Sequence, residues 1–170
     1  MSKDVSMKKV FVVFHSLSSE WYHEYVSKVR RTEVNHCGIM IELPDGYLLY
    51  YHCSPHSKWR KTEAMRFFKR YVPLSTFYIG TTSVLLKNLT SFADDGYCFP
   101  PWKLIAWHFV GRFIFPWWKP KGCGSFTCNI LRSAGFNINN HVAPEMLLKE
   151  LRDEHNYDEW IGESWKDLVS

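Results

Sequence analysis

The order of apolar and polar residues along this 170-residue chain predicts a mixture of strands and helices. Residues 9–16, KVFVVFHS, form a run of β-branched and aromatic side chains, which is typical of a strand buried on both faces. Over residues 20–29, Trp21, Tyr25 and Val29 recur every four residues, and this spacing predicts a helix. We therefore expect the chain to begin with a strand followed by a helix.

The clearest local pattern is the apolar segment HCGIMIELPDGYLLYYHC, residues 36–53, interrupted by a proline-aspartate-glycine turn at 44–46. Two apolar runs around such a turn predict an antiparallel β-hairpin. A two-residue loop would pair Leu43 with Leu48, whereas a three-residue loop pairs Leu43 with Tyr47. Proline cannot donate to a strand ladder, and glycine suits the left-handed position of the longer loop. We therefore predict the three-residue loop.

The rest of the chain completes the expected architecture. The further predicted elements are a charged helix around 60–69, a strand over 73–80, a helix over 82–89, a loop over 92–102, a helix over about 126–134 that ends at Gly135, and a final helix over 144–151. No repeat, linker or low-complexity tract divides the chain, and its length suits one core. The pattern predicts a single α+β domain over residues 1–170, with a small antiparallel sheet packed against helices.

Composition and charge narrow the range of functions. Apolar residues make up 46% of the chain and charged residues 22%, which is ordinary for a globular protein. The basic residues behind the net charge of +4 are spread along the chain without a basic stripe. We therefore expect no nucleic-acid partner.

Two features bear on location. The N-terminus lacks the apolar core of a secretory signal. The most apolar segment, residues 104–118, is shorter than the roughly 20 residues that span a bilayer. We expect this segment to be buried in preference to lying at an interface, and we expect no transmembrane span.

The cysteines suggest thiol chemistry in preference to disulfides or metal binding. Five are present, an odd number, and their spacing is not that of a small disulfide framework. We therefore expect free thiols in a reducing compartment. Cys123 and Cys128 are separated by four residues, but no second closely spaced pair could complete a structural zinc site. Neither a metal nor a cofactor is expected.

Two histidines occupy matching positions on the predicted hairpin. In the preferred register, His36 and His52 lie on one face as diagonal neighbours, within reach of one another. Gly38 lies between them and leaves this face open, so that a helix or a substrate could approach closely. The alternative is that each histidine is simply packed within its strand.

Cys128 falls in the first turn of the helix predicted over 126–134. Unpaired N–H groups and the macrodipole at that end of a helix lower the pKa of a thiol, and a neighbouring imidazole would lower it further. Cys123 precedes this helix in a glycine-flanked turn, a poorer place to fix a nucleophile. Small core or loop positions are the expected role of the other cysteines, Cys37, Cys53 and Cys98.

The motifs HCGIMIE at 36–42, an apolar strand that ends at His52, and FTCNILRSAG at 126–135 form a recognisable order. This order resembles the permuted papain-like cysteine amidases and acyltransferases, which are related to NlpC-type endopeptidases and lecithin:retinol acyltransferase-like enzymes. In that family a histidine at the start of a strand comes first, and a cysteine at a helix N-terminus comes last. The resemblance covers roughly residues 9–136. It implies a circularly permuted papain-like fold and thiol chemistry on an amide, thioester or ester bond.

The resemblance also implies a role for each candidate residue. Cys128 would be the nucleophile, His36 its general base, and His52 the group that orients the imidazole. The backbone N–H of Cys128 would contribute to an oxyanion hole. The third position varies among relatives, which leaves Glu42 and His56 as substitutes for His52.

Three hypotheses about function follow. The leading one is a cysteine hydrolase or acyl transferase that forms an acyl-enzyme at Cys128 and acts on a peptide, lipid or acyl substrate. Its aromatic segment 102–118 would line the substrate or contact a membrane or a protein. The second is a non-catalytic binding or structural protein of the same fold, for example in a virus particle, with a buried Cys128 of unshifted or raised pKa. The third is a metal-binding protein that uses His36, His52 and Cys128 together. The expected location is the cytoplasm or a virus particle.

Overall fold

The computed structural model of the protein describes residues 8–17, 28, 31–54, 57–82, 106, 110–114, 122–155 and 157–168. The helix predicted over 20–29 lies outside these ranges apart from Lys28, and the loop predicted over 92–102 lies outside them entirely. The helix predicted over 82–89 also lies outside them, except for Thr82, which ends a strand.

Strands form the largest part of the described chain. They are β1 (Lys8–His15), β2 (His36–Glu42), β3 (Leu48–Ser54), β4 (Ser57–Glu63), β5 (Pro73–Thr82) and β6 (Glu159–Ile161). The helices are α1 (Ala64–Phe68), α2 (Arg112–Ile114), α3 (Cys123–Ser133) and α4 (Pro144–Asp153), and a 3₁₀ helix covers Gly162–Leu168. All strand pairs are antiparallel, in the order β4-β3-β2-β1-β5-β6. The α+β class predicted from the sequence is confirmed.

Strand β1 lies inside the sheet, between β2 and β5. Its residues 10–14 are at most 1% exposed. Alternate residues of a strand point to opposite faces, so both faces of the sheet are covered here. The prediction of a strand buried on both faces is therefore confirmed.

The hairpin has the predicted three-residue loop. Glu42 pairs with Leu48 across β2 and β3. Beyond this pair, the N–H of Leu43 donates to the carbonyl of Tyr47 at 2.9 Å. Gly46 has a φ of +79°, in the left-handed region that glycine adopts without strain. This register puts His36 and His52 on the same face of the sheet.

The charged helix predicted around 60–69 is wrong for its first part. Residues 60–63 belong to β4, and only α1 (Ala64–Phe68) is helical. β4 is the outermost strand on its side of the sheet, paired only with β3. Charged side chains are common on such edge strands because they discourage pairing with another chain. The charge pattern therefore resembled a solvent-exposed helix.

The sheet separates two clusters of buried apolar side chains. On one face, Ile39 and Ile41 of β2 pack with Ile130 and Leu131 of α3 and with α4. On the other face lie members of α1, the 3₁₀ helix and the strands: Phe11, Val13, Met40, Leu48, Tyr50, Ala64, Phe68 and Trp165. Helix α3 therefore covers one face only, and Met40 in the middle of β2 faces away from it.

The ends of α3 and α4 follow from local chemistry. After α3, Gly135 has a φ of +92°. Its N–H donates to the carbonyl of Arg132, and the N–H of Phe136 donates to that of Leu131, both at 3.0 Å. This is a Schellman motif, and the predicted glycine stop is confirmed. Helix α4 begins at Pro144, also as predicted.

The apolar segment 104–118 is not packed as expected where it is described. Val110, Phe113 and Ile114 are exposed, the phenylalanine by 72%. The preference for burial over an interfacial position is therefore wrong for these three residues. Among the described residues, no helix has both the length and the apolar character needed to cross a membrane.

Candidate functional site

A pair of histidines lies where β2 begins and β3 is about to end. Gly38 pairs with His52, which makes His36 and His52 diagonal neighbours on one face. The Nε2 atom of His36 lies 3.3 Å from the Nδ1 atom of His52. The predicted proximity of the two imidazoles is therefore confirmed, and they share a hydrogen bond.

The charge of His52 decides whether its Nδ1 atom can accept this hydrogen bond. Burial lowers the pKa of His52 to about 3, with further contributions from His36 and Arg60. His52 is therefore neutral near pH 7. With His36 donating from Nε2, the Nδ1 atom of His52 accepts, and the Nδ1 atom of His36 is left as an acceptor. His52 can thus hold His36 in the tautomer that a base requires.

Aromatic rings enclose the histidine pair. The ring of Tyr50 stacks on that of His52, with centroids 5.1 Å apart and an interplanar angle of 12°. The hydroxyl of Tyr50 lies 2.7 Å from Nε2 of His15, whose ring is 5.0 Å from that of His36. Phe67 packs against both rings, 4.8 Å from that of His52 and 5.0 Å from that of Tyr50. The rotamers of both histidines are therefore restricted by packing.

The same rings correct the prediction about Gly38. A Cβ at this position would lie 2.7 Å from the hydroxyl of Tyr50 and 2.5 Å from the carbonyl oxygen of Tyr51. The face at Gly38 is therefore filled by the neighbouring strand and its tyrosine, and it is not open to a helix or a substrate. Glycine is needed here so that Tyr50 can reach His15.

Helix α3 begins three residues earlier than predicted, at Cys123. Gly122 is the N-cap, and its N–H donates to the hydroxyl of Ser125 at 2.9 Å. Gly124 permits a close approach, because a Cβ there would lie 2.7 Å from the carbonyl oxygen of Val142. Cys123, predicted to precede the helix in a glycine-flanked turn, is thus the first residue of the helix itself.

Cys123 is the cysteine whose charge His36 influences. It packs against the buried cluster that contains Cys37, and both Cys37 and His36 favour the thiolate form of its side chain. The hydrogen bond with Cys37 holds the pKa of Cys123 well below its usual range, with help from the charge of His36 and against the effect of burial. Cys123 is also partly exposed. A thiolate in contact with an imidazole, at the first turn of a helix, has the properties of a nucleophile.

Cys37 supports this thiol from the α3 face of the sheet. It follows His36 in β2, and its side chain is fully buried. Its sulfur lies 3.5 Å from the hydroxyl oxygen of Thr127. Burial and the proximity of Cys123 raise the pKa of Cys37 well above its usual range. Cys37 therefore remains a protonated donor beside Cys123. Its predicted burial is confirmed, but its contact with Cys123 was not foreseen.

The structure does not bring Cys128 to the histidines. Cys128 lies in the second turn of α3, is 0% exposed, and packs in the same cluster as Leu131. Its thiol contacts the carbonyl oxygen of His141 at 3.9 Å. Burial raises the pKa of Cys128 to about 11. The predicted first-turn position and lowered pKa of Cys128 are therefore wrong, because the helix starts at Cys123.

Beneath Cys128, a buried carboxylate anchors the segment that follows α3. Glu150 of α4 is 3% exposed and accepts a hydrogen bond from the N–H of Asn139 at 2.9 Å. Its other oxygen bonds to Nε2 of His141, and His155 lies 3.4 Å away. Burial would raise the pKa of Glu150, but these hydrogen bonds, first that from Asn139, outweigh it and lower the pKa. The network is structural and places the His141 carbonyl against Cys128.

The remaining predicted residues lie elsewhere. Glu42, a substitute for His52, pairs with Lys9 at 3.0 Å at the opposite end of β2 from His36. His56, the other substitute, and Cys98 lie outside the described residues. Cys53 is buried as expected, but it is disulfide-bonded, so the expectation of free thiols is wrong for this residue. The positions of cysteines in the sequence do not by themselves show which sulfurs lie close enough to form a disulfide.

The structure also bears on the metal hypothesis. Where side chains are described, no three His, Cys, Asp or Glu residues are arranged to hold a metal ion. His36, His52 and Cys128 do not form a shared cluster, since Cys128 lies beside His141. The ligand set proposed from the sequence is therefore not assembled.

Two features of the sequence could have identified Cys123 as the start of the helix. Ser125 stands three residues after Gly122, the spacing at which a side chain reaches back to the N-cap N–H. Cys128 and Leu131, by contrast, are separated by three residues and share the apolar side of the helix. Both patterns indicate a helix that starts at residue 123 and buries Cys128.

Comparison of the chain with protein-family models, with curated proteins and with solved structures gives no match.

Proposed function

We propose that the protein is a cysteine hydrolase or acyl transferase that acts on an amide, thioester or ester bond. In this proposal Cys123 is the nucleophile, His36 is its general base, and His52 orients His36. The observation that carries it is the hydrogen bond between His36 and His52, beside a partly exposed Cys123 whose pKa His36 helps to lower. Such an arrangement of nucleophile, base and orienting group is the general logic of a catalytic triad.

The proposed reaction has two stages. The Nδ1 atom of His36 takes the thiol proton, and the Cys123 thiolate attacks the carbonyl carbon of the substrate. Backbone N–H groups in the first turn of α3, beginning with that of Cys123, face the developing oxyanion. The imidazolium then gives its proton to the leaving group, which leaves an acyl-enzyme. Water or another acceptor, deprotonated by His36, releases the acyl group and restores the thiol.

The fold we propose is a circularly permuted papain-like fold. Its support is the chain order of His36, His52 and Cys123, together with an antiparallel sheet whose β2 packs on the cysteine-bearing helix. The move of the nucleophile from Cys128 to Cys123 leaves this order unchanged. The peptide, lipid or acyl class of the substrate remains a proposal from the sequence.

A non-catalytic binding or structural role is the second candidate. It is favoured by the burial of His36 and His52, which are 1% and 6% exposed, and by the full burial and raised pKa of Cys128. A protein that had lost its chemistry could retain such a packed pair. The partly exposed Cys123 with its lowered pKa favours the enzyme.

Acylation by 4-nitrophenyl acetate separates the two candidates. The Cys123 thiolate attacks the ester carbonyl, the carbon–sulfur bond forms, and nitrophenolate leaves. We expect a burst of nitrophenolate and a single acetyl group on Cys123, located by peptide mass spectrometry. Cys128→Ser is the matched control, because it changes the other cysteine of the same helix.

The burst should be lost in Cys123→Ser and retained in Cys128→Ser. A burst that survives Cys123→Ser and disappears in Cys128→Ser would contradict the assignment of the nucleophile. The absence of acetylation from both cysteines of the folded wild-type protein would favour the non-catalytic role.

A further inference from the structure

Two thiols of opposite character meet at the site. The Cys37 sulfur of β2 lies 3.5 Å from the hydroxyl of Thr127, one turn after Cys123 on α3, and Cys123 packs against the same buried cluster as Cys37. Cys123 is partly exposed, whereas Cys37 is 0% exposed behind it. The catalytic roles proposed above do not require a second sulfur at this place, since a threonine or serine hydroxyl could donate the same hydrogen bond.

Accessibility decides which sulfur an oxidant would reach. A reagent in solution can reach Cys123, but it cannot reach the fully buried Cys37 without opening of the fold. A reactive, accessible thiol beside a second cysteine is the usual arrangement of a reversible redox site. Among the cysteines that the structure describes, Cys123 is therefore the one placed to react with Cys37 once it is oxidised, because the third free thiol, Cys128, contacts His141 instead.

We infer that Cys123 and Cys37 form a reversible intramolecular disulfide when the protein meets a peroxide. This inference rests on the proposed function in so far as it needs a reactive Cys123 thiolate. It goes further by giving Cys37 the role of a resolving thiol, which forms a disulfide with Cys123. Under oxidising conditions this disulfide blocks acyl transfer and protects Cys123 from further oxidation.

The reaction consists of two steps. The Cys123 thiolate attacks hydrogen peroxide, a sulfur–oxygen bond forms, the oxygen–oxygen bond breaks, and the product is a sulfenic acid with release of hydroxide. The Cys37 sulfur then attacks the sulfenic sulfur, the disulfide bond forms, and hydroxide leaves. The two hydroxides take up the two thiol protons as water. Overall, two thiols lose two electrons and the peroxide is reduced to two waters.

The Thr127 hydroxyl assists the second step. Its oxygen lies 3.5 Å from the Cys37 sulfur. There it can accept a hydrogen bond from the Cys37 thiol, or donate one to the Cys37 thiolate once the proton has left. Because Thr127 is fully buried, this contact is shielded from water. The resolving thiol thus has a polar partner that can stabilise it as its proton departs.

The test compares the full-length wild type with Cys37→Ser after graded exposure to hydrogen peroxide, using peptide mapping without reduction. Acyl transfer from 4-nitrophenyl acetate is measured on the same samples before peroxide and again after dithiothreitol. We expect a Cys37–Cys123 linked peptide in the wild type, loss of acyl transfer with its formation, and recovery on reduction. In Cys37→Ser, Cys123 should advance to sulfinic acid, and acyl transfer should not recover.

Each other outcome has a distinct meaning. Suppose that acyl transfer is present before peroxide is added, but no linked peptide forms and wild-type Cys123 either becomes a sulfinic acid or stays unchanged. The disulfide inference is then overturned, and the proposed function stands. If Cys123 reacts with neither the ester nor peroxide, the proposed function fails and the inference fails with it. The linked peptide is sought in the wild type, so the conclusion does not depend on the folding of Cys37→Ser.

Discussion

Cys123 and Cys128 lie five positions apart on one helix, yet their surroundings give them opposite chemistry. Cys123 begins α3 and is partly exposed, and Cys37 and His36 hold its pKa well below the usual range. Cys128 is one turn further along, fully buried, and its pKa is raised to about 11.

The difference shows what a helix position does for a thiol. In the first turn, backbone N–H groups are unpaired and the helix dipole favours negative charge. In the second turn these N–H groups are already bonded within the helix, and burial penalises the thiolate instead. A start of the helix three residues earlier therefore gives the first-turn environment to Cys123 and leaves Cys128 in the core.

The largest effect is expected from His36→Ala. Loss of a positioned base lowers the rate of the proton transfer it serves by about 100-fold or more. We therefore expect the rate of nitrophenolate release at neutral pH to fall by at least about 100-fold, with Cys128 remaining unlabelled. An unchanged rate in a variant with native circular dichroism would remove His36 from the site.

Glu150→Gln tests the hydrogen-bond network that holds the His141 carbonyl against Cys128. Replacing the carboxylate weakens the charged hydrogen bonds from Asn139 and His141, and we expect a loss of about 2 kcal/mol in the free energy of unfolding at pH 7. The rate of Cys123 acylation should be unchanged, since Glu150 does not contact that thiol. Urea unfolding together with the acylation assay measures both quantities.

The stability difference between wild type and Glu150→Gln should depend on pH. The pKa of Glu150 is lowered by folding, so its stabilising effect is complete above its unfolded pKa, ~4.3, and is lost as pH falls through the lower folded pKa. The difference in unfolding free energy between wild type and Glu150→Gln should therefore be constant at neutral pH and shrink in acid. A difference that grows as the pH falls would contradict the network.

Cys37→Ala tests the thiol behind the nucleophile. The hydrogen bond from Cys37 is the largest contribution that lowers the pKa of Cys123. We expect the pH midpoint of Cys123 alkylation to rise toward that of a free thiol, because this contribution is lost. Cys37→Ser is the matched variant, because its hydroxyl can still donate, and its midpoint should lie closer to that of the wild type. Equal midpoints in all three proteins would show that Cys37 does not influence the thiolate.

The smallest effect is expected at His52. His52→Asn retains an acceptor near the position of Nδ1, whereas His52→Leu removes it and keeps a similar volume. Losing one such hydrogen bond is worth about 1 kcal/mol, or roughly fivefold in rate. We expect His52→Leu to acylate about fivefold more slowly than wild type and His52→Asn to remain near it. The reverse order would argue against an orienting role for His52.

Much of the sheet was predictable because its signals are local. The register of β2 and β3 follows from the proline and glycine of one turn, and strand β1 follows from a continuous apolar run. The segment 60–63 was missed because the charges of an edge strand resemble those of an exposed helix. Edge position is a property of the whole sheet and is absent from the local pattern.

The site was predictable in part. The proximity of His36 and His52 follows from hairpin register alone. The cysteine was misassigned because Gly122 and Gly124 resemble a turn, whereas in the fold Gly124 is required by the backbone at Val142. Gly124 and Val142 are far apart in the sequence, so only the tertiary structure reveals their contact. The same holds for the contact of Cys37 with Cys123.

The most direct test of the central claim is the pH dependence of iodoacetamide labelling in the native wild-type protein, followed at Cys123 and Cys128 by mass spectrometry. We predict that Cys123 labels with a midpoint well below the ~8.5 of a free thiol and that Cys128 stays unlabelled while the protein is folded. Labelling of Cys128 at least as fast as Cys123, or a Cys123 midpoint at or above that of a free thiol, would contradict the account.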